Sequence, residues 1–162
     1  MKKDIPGIRE FFQWLYDAEN GDTASFVGQG LYHAPLALAE ITRHVSEPQP
    51  RLEYGLKSLK HLDLCNNMLR GLDPFLAHLT NLRSLKADGN RLERLPEFFK
   101  YYTRLGYLSI SHNRITMFPP ETGAMLSVRT IIAHNNEIDS LVDGFARLST
   151  LRNLELSHNK FR

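Results

Sequence analysis

Apolar residues recur in a fixed pattern along the last two thirds of the chain. Five segments, Leu59–Leu69, Leu82–Leu92, Leu105–Ile115, Val128–Ile138 and Leu151–Phe161, align without a gap, each starting 23 residues after the one before. The fourth position holds Leu62, Leu85, Leu108, Ile131 and Leu154, and the sixth holds Leu64, Ala87, Ile110, Ala133 and Leu156. Polar residues alternate with them, which predicts a short strand with one buried face. Five matches in one register exclude coincidence. They predict strands stacked in parallel ~4.8 Å apart, with the inward side chains forming one continuous core.

The ninth position is always asparagine: Asn67, Asn90, Asn113, Asn136 and Asn159. A sharp turn after each strand leaves inward backbone groups without partners, and an asparagine amide both donates and accepts. The five are therefore expected to form a structural ladder, each buried partner worth roughly 1–3 kcal/mol. Beyond the turn, Leu72, Leu95, Phe118 and Leu141 share one repeat position, with a second apolar layer at Phe75/Leu76, Phe98/Phe99 and Phe145. Pro96, Pro119 and Pro120 predict irregular or 3-10 backbone there rather than full helix.

The motif L-x-x-L-x-L-x-x-N-x-L resembles that of the leucine-rich repeat family. Arg91–Glu97 and Phe118–Gly123 resemble the "L-x-x-L-P-x-x-I-G" convex segment of its intracellular 23-residue group. The resemblance covers about 59–162. It implies an α/β solenoid, a curved right-handed stack of parallel strands with a 3-10 convex side. It also implies a non-enzymatic scaffold or adaptor, with small GTPases, protein phosphatases and cytoskeletal or ciliary complexes as candidate partner classes.

Residues 1–58 fall outside the repeat and are expected to form a helical N-terminal cap, or else a docking element. Asp4 and Pro6 suit a helix start, and Ile5, Ile8, Phe11/Phe12 and Leu15 follow at helical spacing, ending near Asn20-Gly21-Asp22. Gly28-Gln29-Gly30 reads as a loop, and Pro35 opens a second helix to about Val45. The boundary is drawn at 58/59. At the other end Arg162 follows the fifth segment directly, so continuation or self-association is expected to cover Leu151–Arg162.

Composition narrows the class. Cys65 is the only cysteine, no secretory leader is visible at Met1-Lys2-Lys3-Asp4, and no stretch reaches the ~18 apolar residues of a membrane span. These features predict a cytoplasmic protein. The net charge is +2, too small to announce a polyanion binder.

Positions three, five, seven and eight of each repeat should point outward on the concave face. The expected partner-binding residues there are Asp63, Lys86, Asp88, Tyr107, Ser109, His112, Ile132, His134, Glu155 and His158. Tyr107 and Ile132 are the apolar anchors of a face of mixed charge, which suits a protein better than a lipid or nucleic acid. Lys60, Arg83, Arg129 and Arg152 at position two, with Arg91, Arg114 and Lys160 at position ten, make basic stripes broken by Gly106 and Glu137. They suit acidic protein or RNA phosphate, but no aromatic–basic interleaving supports base stacking. No cofactor, metal, small-molecule substrate or catalytic residue is expected. His112 and His158 are too far apart to share a zinc, and His61 is out of reach of Cys65 along one strand face. Two further readings stand beside the adaptor: a structural subunit or fragment of a larger assembly, and a targeting module of a longer enzyme or regulatory chain.

Overall fold

The computed structural model describes residues 22–32 and 58–161. Six three-residue strands pair in chain order as one parallel sheet: β1 (Thr23–Ser25), β2 (His61–Asp63), β3 (Ser84–Lys86), β4 (Tyr107–Ser109), β5 (Thr130–Ile132) and β6 (Asn153–Glu155). Strands β2 to β6 occupy positions three to five of the five segments. Pairing joins equal positions, so Leu62, Leu85, Leu108, Ile131 and Leu154 stand side by side. Position six follows the same inward direction, and Leu64, Ala87, Ile110 and Ala133 are fully buried.

The return path of each complete repeat is a 3-10 segment: Pro74–His78, Glu97–Tyr101, Pro120–Ala124 and Asp143–Arg147. Pro96 and Pro119 precede two of them, at the φ that the proline ring imposes. The N–H groups of Tyr102, Met125 and Leu148 donate to carbonyls three residues back, and the short segments end there. Leu72, Leu95 and Phe118 are buried beneath this layer. Leu141, at the same position, is 40% exposed, since no further return segment follows it among the described residues. The third and fourth 3-10 segments touch backbone to backbone: a Cβ on Gly144 would lie 2.8 Å from the Pro120 carbonyl oxygen.

The helices expected over about 4–20 and 35–45 lie outside the described residues. The part of 1–58 that is described contributes a strand. β1 pairs with β2, with Ala24 beside Leu62, and Phe26 and Leu31 are buried in the common core. Equivalent residues are 38 apart, as Thr23 and His61 are, instead of 23. The sheet thus begins on the N-terminal side of residue 58.

The asparagines join each repeat to the one before. The Asn113 amide donates to the Ile110 carbonyl in its own turn and to the Ala87 carbonyl of the preceding repeat, both at 3.0 Å. Its Oδ1 accepts the Leu92 N–H at 2.9 Å. Asn67, Asn90, Asn136 and Asn159 repeat this arrangement one step along the stack each time. Gln29 stands at the corresponding place of the first repeat but is exposed.

Candidate functional site

Two rows of side chains cover the open face of the sheet. Position three supplies His61, Ser84, Tyr107, Thr130 and Asn153, and position five supplies Asp63, Lys86, Ser109, Ile132 and Glu155, each row in direct register. Of the residues expected to bind a partner, Asp63, Lys86, Ile132 and Glu155 share one row. Tyr107 lies in the other, beside Thr130. Lys86 and Glu155 are exposed, while Asp63, Tyr107 and Ile132 are half-buried.

Ser109 departs from the expectation of an outward site residue. It is only 5% exposed, and its hydroxyl donates to Asp88 Oδ1 at 2.7 Å. That oxygen also accepts the Ser111 N–H at 2.6 Å, and Asp88 Oδ2 accepts the Cys65 thiol at 3.4 Å. One carboxylate therefore ties three successive repeats together, and its acceptor capacity is largely used inside the molecule. Spacing sets Cys65, Asp88 and Ser111 side by side at position seven, but the bonds depend on residue types that vary from repeat to repeat, and Ser109 joins from position five. Burial first, and Asp63 next, push the Cys65 thiol up to about 12. A thiol held protonated is a poor nucleophile.

Position eight has a backbone role that its varied residues conceal. Asn66, Gly89, His112, Asn135 and His158 all adopt positive φ, between 53° and 66°. Gly28 does the same in the first repeat, at 68°. Asparagine tolerates this left-handed region better than most residues and glycine pays no Cβ penalty. The recurring Ser-His-Asn motif thus includes a turn residue, which places His112 and His158 at the margin of the face.

This turn brings His112 onto His134, although their repeat positions differ. The rings meet edge to face with centroids 5.0 Å apart. The Asn135 amide nitrogen lies 2.8 Å from His134 Nδ1 and 3.4 Å from His112 Nε2. Among the described residues no three His, Cys, Asp or Glu side chains gather as a metal site would need. His158 is exposed, as is His61.

The family model described as "Leucine rich repeat" matches residues 46–92 and 103–161. No curated protein sequence matches the chain. Among solved structures, the chain is similar to one described as the Toll–Spatzle complex, a molecular hub in Drosophila development and innate immunity. The TM-score is 0.61 and the identity 28%, over 64% of this chain and 14% of that one. It is also similar to a plant peptide hormone receptor, RGFR1, in complex with RGF2, with a TM-score of 0.59 and 27% identity over 67% of this chain and 18% of that one. The chain thus spans less than a fifth of the length of either.

These likenesses correct the expectation of a cytoplasmic protein, because the similar structures are Toll with Spatzle and a peptide hormone receptor with its peptide. The physical reason is plain. Core packing and asparagine turns work equally well on either side of a membrane, so a lone cysteine in such repeats does not assign a compartment. Among the described residues no helix is long and apolar enough to cross a membrane.

Proposed function

The chain belongs to the leucine-rich repeat family, and we propose that it is a non-enzymatic module that holds a protein partner against the open face of its sheet. The observation that carries this reading is the face itself. Its two rows are set in rigid register by the buried strands, yet their chemistry changes at every step, from Asp63 through Lys86 to Ile132 and Glu155. Tyr107 and Ile132 offer half-buried apolar surface near the centre, flanked by charged and hydroxyl side chains. Anchors of this kind, with a polar surround, suit a protein surface. The likeness to two structures that hold protein or peptide ligands supports the same reading.

Within the face, Asp63, Lys86, Tyr107, Ile132, Glu155 and the His112–His134 pair are the proposed contacts, with His158 at the margin. Asp88 and Ser109 support them from beneath. The test is affinity capture from the native cell with mass spectrometry, comparing the natural chain with a Tyr107→Ala, Ile132→Asp variant of unchanged circular dichroism. Partners recovered by the natural chain should be lost. Equal recovery by both chains would rule out the open face as the binding surface.

A further inference from the structure

The edge along which the chain enters its strands carries a charge pattern distinct from the rest of the surface. Position two forms a continuous backbone ladder there. The Arg83 N–H donates to the Lys60 carbonyl at 2.7 Å, Gly106 to Arg83 at 2.8 Å, Arg129 to Gly106 at 2.9 Å and Arg152 to Arg129 at 2.8 Å. Lys60 in turn donates to the Asp22 carbonyl, so the row runs Asp22, Lys60, Arg83, Gly106, Arg129, Arg152. Asp22 and Lys60 neutralise one another through a 3.0 Å ion pair. Arg83, Arg129 and Arg152 are exposed, and no carboxylate pairs with them among the described residues.

The loops that lead into the strands reinforce the row. Residues 78–84, 101–107, 124–130 and 147–153 contain five arginines and no aspartate or glutamate. Arg104 and Arg147, both exposed, join the three of the row. Arg104 reaches back to the preceding loop, donating to Asn81 Oδ1 at 2.7 Å. The same loops expose apolar side chains, Tyr101 at 49% and Leu126 at 56%. The opposite edge is different. There Arg91, Arg114 and Lys160 are mixed with Glu93, Glu137 and Asp139, and Glu137 is paired with Lys160 at 2.7 Å. The two basic stripes visible in the sequence are therefore unlike, and only the position-two stripe, from Arg83 to Arg152, runs without acidic residues in its row or entering loops.

We propose that this strand-entering edge is a second interaction surface, which takes an extended peptide segment rich in carboxylates and punctuated by apolar side chains. Arginine forks match carboxylates in bidentate geometry. The row from Arg83 to Arg152 crosses three strand steps, about 14 Å, which an extended segment of about five residues spans. Leu126 decides between peptide and nucleic acid. Phosphates would satisfy the arginines, but an exposed leucine has no counterpart on a sugar–phosphate backbone, whereas a leucine-bearing acidic peptide meets both. The surface is separate from the open sheet face and does not depend on it.

Gly106 makes the test a gain as well as a loss. It is the one uncharged member of the row, and a Cβ there would meet only the Arg83 and Ser127 carbonyl oxygens, at 3.7 and 4.0 Å. Ordinary contact of that kind admits a side chain. The probe is a fluorescein-labelled peptide of alternating glutamate and leucine, followed by anisotropy at low and moderate salt. Gly106→Arg should tighten binding several-fold, and Arg83→Glu with Arg129→Glu should weaken it by about tenfold or more. Leu126→Ser should weaken it less, and Ile132→Ser on the open face should leave it unchanged. Absence of peptide binding, or no tightening by Gly106→Arg, overturns the proposal. So does tighter binding of a single-stranded RNA oligonucleotide than of the peptide, since the edge would then be a nucleic-acid surface.

Discussion

The two edges of the sheet are made by the same 23-residue spacing under opposite constraints. Where the chain leaves β2 to β6, each turn is closed by an asparagine that reaches the preceding repeat, and position eight adopts positive φ. Where the chain enters the strands, backbone groups pair with one another along the position-two ladder, with Thr150 adding a hydroxyl to the Leu126 and Val128 carbonyls. The asparagines of the first edge serve the fold, beside exposed Arg91, Arg114 and His158. The second edge carries no such fixed residue, and Arg83, Arg129 and Arg152 stand exposed along it. A constant residue in a repeat is thus a mark of backbone need, although position eight meets such a need with varied residues.

The strongest way to break this contrast is Asn113→Ala. It strands the Leu92 N–H in the core and takes one of two amide donors from each of the Ala87 and Ile110 carbonyls, which keep Asn90 and Asn136, at a cost of about 2–3 kcal/mol. Urea unfolding should show the loss directly, and a change below about 0.5 kcal/mol, as for an ordinary surface site, would erase the distinction.

Two glycines sharpen it further. Gly89 sits at φ +66° with a Cβ position 2.5 Å from Asn66 Oδ1, so Gly89→Ala should destabilise by about 1–2 kcal/mol. Gly106, on the other edge, has no such neighbour, and Gly106→Ala should be neutral or stabilise by up to about 0.5 kcal/mol. Equal costs at both sites would mean that the edges are equally constrained.

A smaller effect is expected from Cys65. Its thiol titrates at about 12 in the folded chain against an ordinary 9.0. A folded value raised above the unfolded one contributes stability that is complete below pH 9 and lost as the pH climbs towards 12. Thermal unfolding of the natural chain should therefore lose ground in this window relative to Cys65→Ser, and parallel curves would refute the assignment. Smallest of all, Arg129→Ala should leave stability within about 0.5 kcal/mol while weakening the acidic peptide.

Strand positions, the buried rows and the 3-10 return path were legible in the sequence because each follows from spacing. Inward leucines at positions four and six need no more than the alternation of a strand, and Pro96 and Pro119 mark the start of their segments. β1 was not legible, because its repeat is offset by 38 residues and carries Gln29 where the others have asparagine. A signal was present: Ala24, Phe26, Gly28 and Leu31 reproduce the fourth, sixth, eighth and eleventh positions. The candidate face was legible as a set of rows but not as a network. Asp88, Ser109, Ser111 and Cys65 are joined by side-chain bonds between repeats, and His112 meets His134 through a left-handed turn. The period sets Cys65, Asp88 and Ser111 side by side without saying that they bond, and the Ser109–Asp88 and His112–His134 contacts fall off the period.

The asparagine stitch also gives the stack a direction. The Leu92 N–H has its partner only when Asn113, 21 residues later, is in place, while the Ala87 carbonyl already holds the Asn90 amide of its own turn. At whichever repeat folding starts, the Leu69, Leu92 and Ile115 N–H groups stay unsealed until the following repeat docks, so each repeat is completed by its C-terminal neighbour.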